Sequence, residues 1–467
     1  MGVATAPSGA GPVAAPAGGR TGTHPASGRD PVPGPDPLSE LDPAHGPETA
    51  VGPDPDDRPE TPAGPGASPG PDPATRPDHA HWLRTARETA EDLATDAVTR
   101  EQAGKTPFDE VSRLRETGLL TLLVPAAAGG AGADWATAYA VVREISAADG
   151  AIGQLLGCHY FLSWSALTFA DSARATETVQ RSTKKPLLWG GGLARQEPPL
   201  RLTRKAGGYV LEGRQSYATG VLVADRLAVR GERADTGEPF AVVVDAAHPG
   251  VRIESDSDAF GQRLAAGGSV DFDAVPIAAG SVLGSLSADE DVLSPQTAFT
   301  SPVGRLLSAH LLLGIAEGVL TEVREYSRAG HSLWHPAWPV GFPSDPRILT
   351  LHGELTVLTR SAAALTEQAV RAVHGGLARG EDLSYDEYAE ISVLVAMAEA
   401  AVSRAAQEST TRALEVIGAR SASSRLGFDR FWRNVRTHTL YEPVGHRLRD
   451  IGDYFLNGAH PPFVLPV

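Results

Sequence analysis

Apolar positions recur every three or four residues through the last third of the chain. Leu351, Leu355, Leu358, Ala362 and Leu365 form such a stripe, which predicts a bundle helix ended by Gly375-Gly376. Ser384 and Glu387 have capping-box spacing in front of a long, alanine-rich helix. Upstream, HAHWLRTARETAEDLATDAVTREQA reads as one charged amphipathic helix. TPFDEVSRLRETGLL opens with Thr106, Pro107 and Asp109, a cap-like start, and two further helices run through ATAYAVVREISAAD and AIGQLLGCHYFLSWSALTFA. Between these regions the period changes to two. RLTRKAGGYVLEGRQSYATG turns at Gly207-Gly208, RLAVRGERADTGEPFAVVVD turns at Asp235-Thr236-Gly237, and VRIESDSDAFGQRLAAGGSVDFDAV continues the scheme. The pattern predicts an α+β chain: a helical domain over 79–185, an antiparallel sheet or small barrel over 186–295, and helices again over 296–467.

Composition changes the picture at the N-terminus. Residues 1–78 hold 19 of the 37 prolines, 11 acidic and 4 basic residues, and few large apolar side chains. Such a stretch cannot bury enough surface to offset its ordering entropy, so a disordered tail is expected. It has no apolar core behind a basic start, which argues against a secretory signal, and no long apolar run suggests a membrane span. A single thiol, Cys158, excludes an internal disulfide framework and fits a reducing cytoplasm. The net charge of -16 argues against nucleic acid as a partner.

The common signatures GxxxxGKS/T, HExxH and GxGxxG are absent, and GxSxG occurs only as Gly66-Ala67-Ser68-Pro69-Gly70 in the proline-rich tail, where no strand-turn-helix context supports it. Gly129, Gly130 and Gly132 follow Val124-Pro125 and read as a turn. His331 and His335 lie four apart, but Pro336 and Pro339 point to a loop, and no metal site is expected. Three stretches carry candidate chemistry. In GRQSYATG, the hydroxyls of Ser216, Tyr217 and Thr219 either line a pocket or decorate a polar strand edge. In GCHYFLSW, His159 sits among apolar residues, where a satisfied core histidine is the ordinary reading. FWRNVRTHTLYEP gathers Arg433, Arg436, His438 and Tyr441 with Trp432 and Asn434. Its arginines suit an anionic ligand or a buried salt-bridge network between helices, and residue chemistry leaves both open.

VPAAAGGAGADW, GGYVLEGRQSYATG, FGQRLAAGGSVDFDAV and ALEVIGARSASSRLGFDRFWRNVRTHTLYEPVGHRLRDIG, in this order, resemble the acyl-CoA dehydrogenase superfamily. They are most similar to its flavin-dependent monooxygenase branch (dibenzothiophene monooxygenase-like), over essentially 79–467. The resemblance implies an N-terminal helical domain, a middle antiparallel β-barrel and a C-terminal four-helix bundle that assembles homotetramers, with a flavin between barrel and bundle. It places Tyr217 and Thr219 at the flavin. Arg420, in Val416-Ile417-Gly418-Ala419-Arg420, stands where dehydrogenases carry a glycine run for the adenine of FAD. This favours FMN, with Arg420 and Arg328 as phosphate partners. It further implies reduced FMN from a separate NAD(P)H-dependent reductase, O2, a C4a-hydroperoxide, and a small organic substrate oxygenated at sulfur, nitrogen or aromatic carbon. His159 and His438 match histidines around the reactive edge of the flavin. Two departures from the branch's sulfur oxidiser stand out: Tyr441-Glu442 replaces histidine-aspartate, and Gly191 replaces an asparagine. The first feeds an alternative, an FAD-dependent acyl-CoA dehydrogenase with Glu442 as α-proton base; Pro443 and the missing glycine run stand against it.

Overall fold

The computed structural model describes residues 77–169, 186–255, 258–287, 295–329, 345–441 and 443–462; residues 1–76, His331, His335 and Glu442 lie outside them. The helical start comprises α1 (Pro77–Ala94), α2 (Ala97–Ala103), α3 (Phe108–Glu116), α4 (Trp135–Ala148) and α5 (Gly150–Phe169). The single helix expected over the first segment is broken at Thr95-Asp96. Buried Arg100 is the cause: its Nη2 donates to Leu93 O at 2.9 Å and to Asp149 Oδ2 at 2.8 Å. It thereby takes the carbonyl that a continuous helix would offer to residue 97. Thr106 does not cap α3; Pro107 precedes it and no side chain caps the helix. The glycines after Val124-Pro125 do form a turn, with Gly129 and Gly132 at φ 89° and 63°.

Eight strands follow: β1 (Trp189–Gly192), β2 (Leu200–Lys205), β3 (Gly208–Ala218), β4 (Arg226–Arg233), β5 (Pro239–Asp245), β6 (Val251–Ser255), β7 (Gly268–Ala278) and β8 (Val282–Ser285). They are ordered β6-β7-β3-β2-β4-β5-β8, with β1 beside β4. The β2–β3 and β4–β5 hairpins turn where the glycines predict. The sheet is not wholly antiparallel: β1 and β2 each run parallel to β4. Both strands arrive by long connections, and alternation within a strand says nothing of its partner's direction. Leu202, Leu211, Val229, Val242, Val270 and Phe272 pack together, and β5 touches β7 across three intervening strands, so the sheet curls round its own core.

The chain then returns to helices: α6 (Thr300–Arg328), α7 (Pro346–Arg379), α8 (Tyr385–Ile417), α9 (Asp429–Tyr441) and α10 (Val444–Asn457). By length and composition alone α6 could cross a bilayer, but 72% of its most apolar window is buried inside the protein, so it is a core helix. Gly314 and Gly318 let α4 close on it; a Cβ there would lie 2.3 Å from Arg143 O and 2.0 Å from Ala147 O. The stripe on α7 faces inward as expected, with Leu355 and Ala362 buried. Gly375-Gly376 does not end α7. A Cβ at Gly376 would meet the Phe299 ring at 2.4 Å, so the residue is small for packing, and the helix stops at Gly380 with φ 56°. Ser384 and Glu387 form the reciprocal capping box at the start of α8.

Candidate active site

Sheet and bundle meet at a cleft of two adjoining lobes, each with about 1000 Å³ of space that opens in part to solvent. The position of β3 creates it. Between Gln215 and Ala218 the β3–β7 register slips, leaving Ser216 and Tyr217 off the ladder. Tyr217 takes φ 55°, a left-handed conformation that a bulky residue adopts only under constraint, and its ring stands 66% exposed over the cleft. It meets Tyr441, the last residue of α9, with ring centroids 5.9 Å apart. The two tyrosines, Thr219, Gln154 and Ser308 border both lobes.

The first lobe is largely apolar. Phe161 and Leu162 from α5 face Leu307 and Leu311 from α6, and the segment from Gly191 to Gln196 closes the wall. Gly191 has φ 115°; a Cβ there would lie 2.4 Å from Ala228 O. Its N–H donates to Thr219 O at 2.9 Å, tying β1 to the end of β3. Cys158 also borders this lobe. Burial pushes its thiol up to about 12, so it stays protonated and is no nucleophile.

The second lobe carries His438, with Thr437, Gln262 and Arg263 nearby. The loop before β7 is clipped to α9. Asn434 Oδ1 accepts the Gln262 N–H at 2.8 Å, and Arg433 Nη1 donates to Phe260 O at 2.8 Å. Gly261 sits on the α9 backbone, where a Cβ would be 2.2 Å from Arg433 O. The clip holds Gln262 in a left-handed conformation, φ 56°. Gln262 Oε1 and Thr437 Oγ1 are both buried without hydrogen-bond partners. Lobe and loop therefore present polar atoms that only a bound molecule or water can answer.

The sequence candidates separate in space. Tyr217, Thr219, His438 and Tyr441 come together in the cleft. His159 does not. It is 2% exposed, Trp189 N donates to its Nδ1 at 3.1 Å, and its Nε2 donates to Leu120 O at 2.8 Å. Both nitrogens are thus spent on backbone groups that join α5 to β1 and to the turn after α3. Burial pushes the imidazole down to about 4. In this arrangement His159 pins three elements together and lines neither lobe. Arg328 and Arg420 line neither lobe; one ends α6 and the other lies exposed in the turn after α8. The arginines of α9 brace the helix. Arg433 pairs with Glu101 at 2.6 Å and Asp429 at 2.9 Å, Arg430 pairs with Glu322, and Arg436 donates to Gln407 at 3.2 Å. Sequence reading missed Gln154, Gln215, Gln262 and Ser308. Nothing in their local pattern marks them, because each reaches the cleft through tertiary packing.

The buried His159 gives a pH signature. Its folded value lies below the ordinary 6.5, so the unfolded chain binds the proton first and folding favours the neutral ring. Stability is then complete above about pH 6.5 and falls as pH drops toward 4, by about 3 kcal/mol. We predict that denaturant titrations from pH 7 to 4.5 show this loss, and that His159→Gln removes its share. His310, stacked on Tyr139 and pushed down to about 3, supplies the acid limb that remains.

A family model described as "Acyl-CoA dehydrogenase, N-terminal domain" matches residues 76–181, and "Acyl-CoA dehydrogenase, C-terminal domain" matches residues 300–447. The chain belongs to the acyl-CoA dehydrogenase family, as the helix–sheet–helix order and the cleft between sheet and bundle require. Within the family it falls in the monooxygenase branch, and it is an oxidoreductase. It is 35% identical over 392 residues to dibenzothiophene monooxygenase of Rhodococcus erythropolis, covering 81% of this chain and 94% of that one. To a probable FMNH2-dependent monooxygenase, SfnC, of Pseudomonas putida it is 31% identical over 382 residues, covering 81% and 95%. Among solved structures, TdsC from Paenibacillus sp. A11-2 with FMN and indole superimposes with TM-score 0.78 at 30% identity, covering 82% of this chain and 99% of that one.

Proposed function

We propose that this chain is the oxygenase component of a two-component system that uses reduced FMN and O2 to oxygenate a small, largely apolar organic molecule. The observation that carries the reading is the two-lobed cleft, where β3 and α9 bring Tyr217, Thr219, His438 and Tyr441 to one place. Each lobe is of ligand-pocket size, and the unpartnered oxygens of Gln262 and Thr437 are what a polar ring edge would satisfy. The residues therefore fit a flavin. Solved TdsC structures with FMN at 30% identity support FMN as that flavin.

Reduced FMN, when bound, would supply the two electrons that activate O2, and O2 itself the oxygen atom that is transferred. The chain's own contributions are positional and protonic. Tyr217, held rigid by its bulge, and Thr219 set one wall, while Phe161, Leu162, Leu307 and Leu311 exclude water from the other. His438 lies on the third turn of a helix braced at Glu101, Asp429 and Gln407, and there it moves the proton that oxygen transfer needs. Tyr441 serves as a donor and as part of the wall of both lobes. Arg328 and Arg420 can reach a phosphate only if a second copy supplies them, so their assignment belongs with the proposed homotetramer. Within one chain, Arg195 and Arg263 are the cations beside the cleft.

The test is single-turnover mixing of photoreduced FMN, O2 and protein in a stopped-flow cell, with and without indole as a trial acceptor. Transient stabilisation of the oxygenated flavin spectrum by the protein, absent from free FMN, is the expected result. Bleaching of bound FAD by an acyl-CoA under nitrogen would replace this reading with the dehydrogenase.

A further inference from the structure

The first lobe contains a polar group that nothing in the protein answers. Gln215, on β3 immediately before the bulge, is 6% exposed and borders the lobe. Its Nε2 donates to Gly192 O at 3.0 Å, which fixes the orientation of the amide: turning it over would set Oε1 against a carbonyl oxygen. Oε1 is buried and has no hydrogen-bond partner. The nearest wall is apolar or without side chains, at Gly191, Gly192, Phe161, Leu162, Leu307 and Leu311, and the donor-bearing residues of the lobe, such as Arg195 and Gln196, make no hydrogen bond to Oε1. An acceptor so held and so dry is unfavourable unless the occupant of the lobe brings a hydrogen.

We infer that the molecule bound in the first lobe presents an N–H or O–H to Gln215 Oε1, so that Gln215 selects ligands bearing a donor. The inference rests on the flavin-and-substrate reading of the cleft. Two molecules could bring the same chemistry: the flavin, through the N–H of its pyrimidine ring, or the substrate, through a ring N–H or hydroxyl. A site built around a hydrogen bond rejects a ligand that lacks it far more strongly than an apolar wall rejects an extra methyl group.

Matched pairs of probes separate the sources. FMN and FMN methylated at its pyrimidine N–H are titrated by flavin fluorescence. Indole and 1-methylindole are titrated into the FMN-loaded protein by calorimetry. In one pair, methylation should weaken binding to the wild type about tenfold or more, and that pair names the donor. Gln215→Met, or Gln215→Leu if the first variant does not fold, should weaken the parent compound until the gap closes to within about twofold. Should neither pair differ by more than about twofold in the wild type, or should the methyl penalty persist in the variants, Gln215 does not select a donor. If FMN fails to bind the wild type, the flavin reading fails instead. The indole pair, followed by tryptophan fluorescence in flavin-free protein, then still decides the role of Gln215.

Discussion

Replacing His438 with alanine is expected to lower product formation by about a hundredfold or more while flavin remains bound within about threefold. The helix that carries His438 tolerates the change, because alanine favours helix and α9 is anchored through Arg433, Arg436 and Asn434. What is lost is the imidazole at the wall of the second lobe, a side chain that can both donate and accept a proton. Oxygen consumption should then continue without product and appear as hydrogen peroxide. His438→Gln, which keeps a polar side chain of similar reach but cannot titrate, should behave like alanine. Full coupling to product in either variant would take His438 out of the chemistry.

Gly191→Asn should cost about 3–5 kcal/mol and weaken FMN binding about tenfold or more. The reason is backbone against backbone. The residue sits at φ 115°, and its Cβ would lie 2.4 Å from Ala228 O and 3.3 Å from Ala228 N, groups that cannot yield without parting β1 from β4. Gly191 also holds Thr219 through its N–H, so the cleft moves with the strand. Gly207→Asn is the control. Its φ of 82° suits asparagine and its Cβ would meet nothing within 4 Å, so it should cost under about 1 kcal/mol in the same denaturant titration. Equal losses in the two variants would show that β1 can give way. The asparagine that the branch's sulfur oxidiser carries at this place is therefore not simply missing here; the strand is set where no side chain fits.

The sequence disclosed what depends on neighbours in the chain. Glycine pairs and a DTG turn located two hairpins, Ser384 and Glu387 fixed a helix start, and the spacing of Leu355 and Ala362 identified a core face. Conversely, the break between α1 and α2 depends on Asp149, 49 positions from Arg100. The contacts that hold His159 come from Leu120 and Trp189, 39 and 30 positions away, and no local pattern shows them. Arg433 has a partner 332 positions distant. No local pattern distinguishes a brace of that kind from an anion clamp, which is why residue chemistry left both readings of FWRNVRTHTLYEP open.

The partition between the lobes has one ring from the sheet and one from the bundle, Tyr217 and Tyr441. Any shift of either ring on binding would link the two chambers, and such linkage is reciprocal: whatever free energy cofactor binding adds to substrate affinity, substrate binding adds to cofactor affinity. A rim shared in this way makes the order of loading a property of two aromatic side chains, and either loading order must sum to the same total.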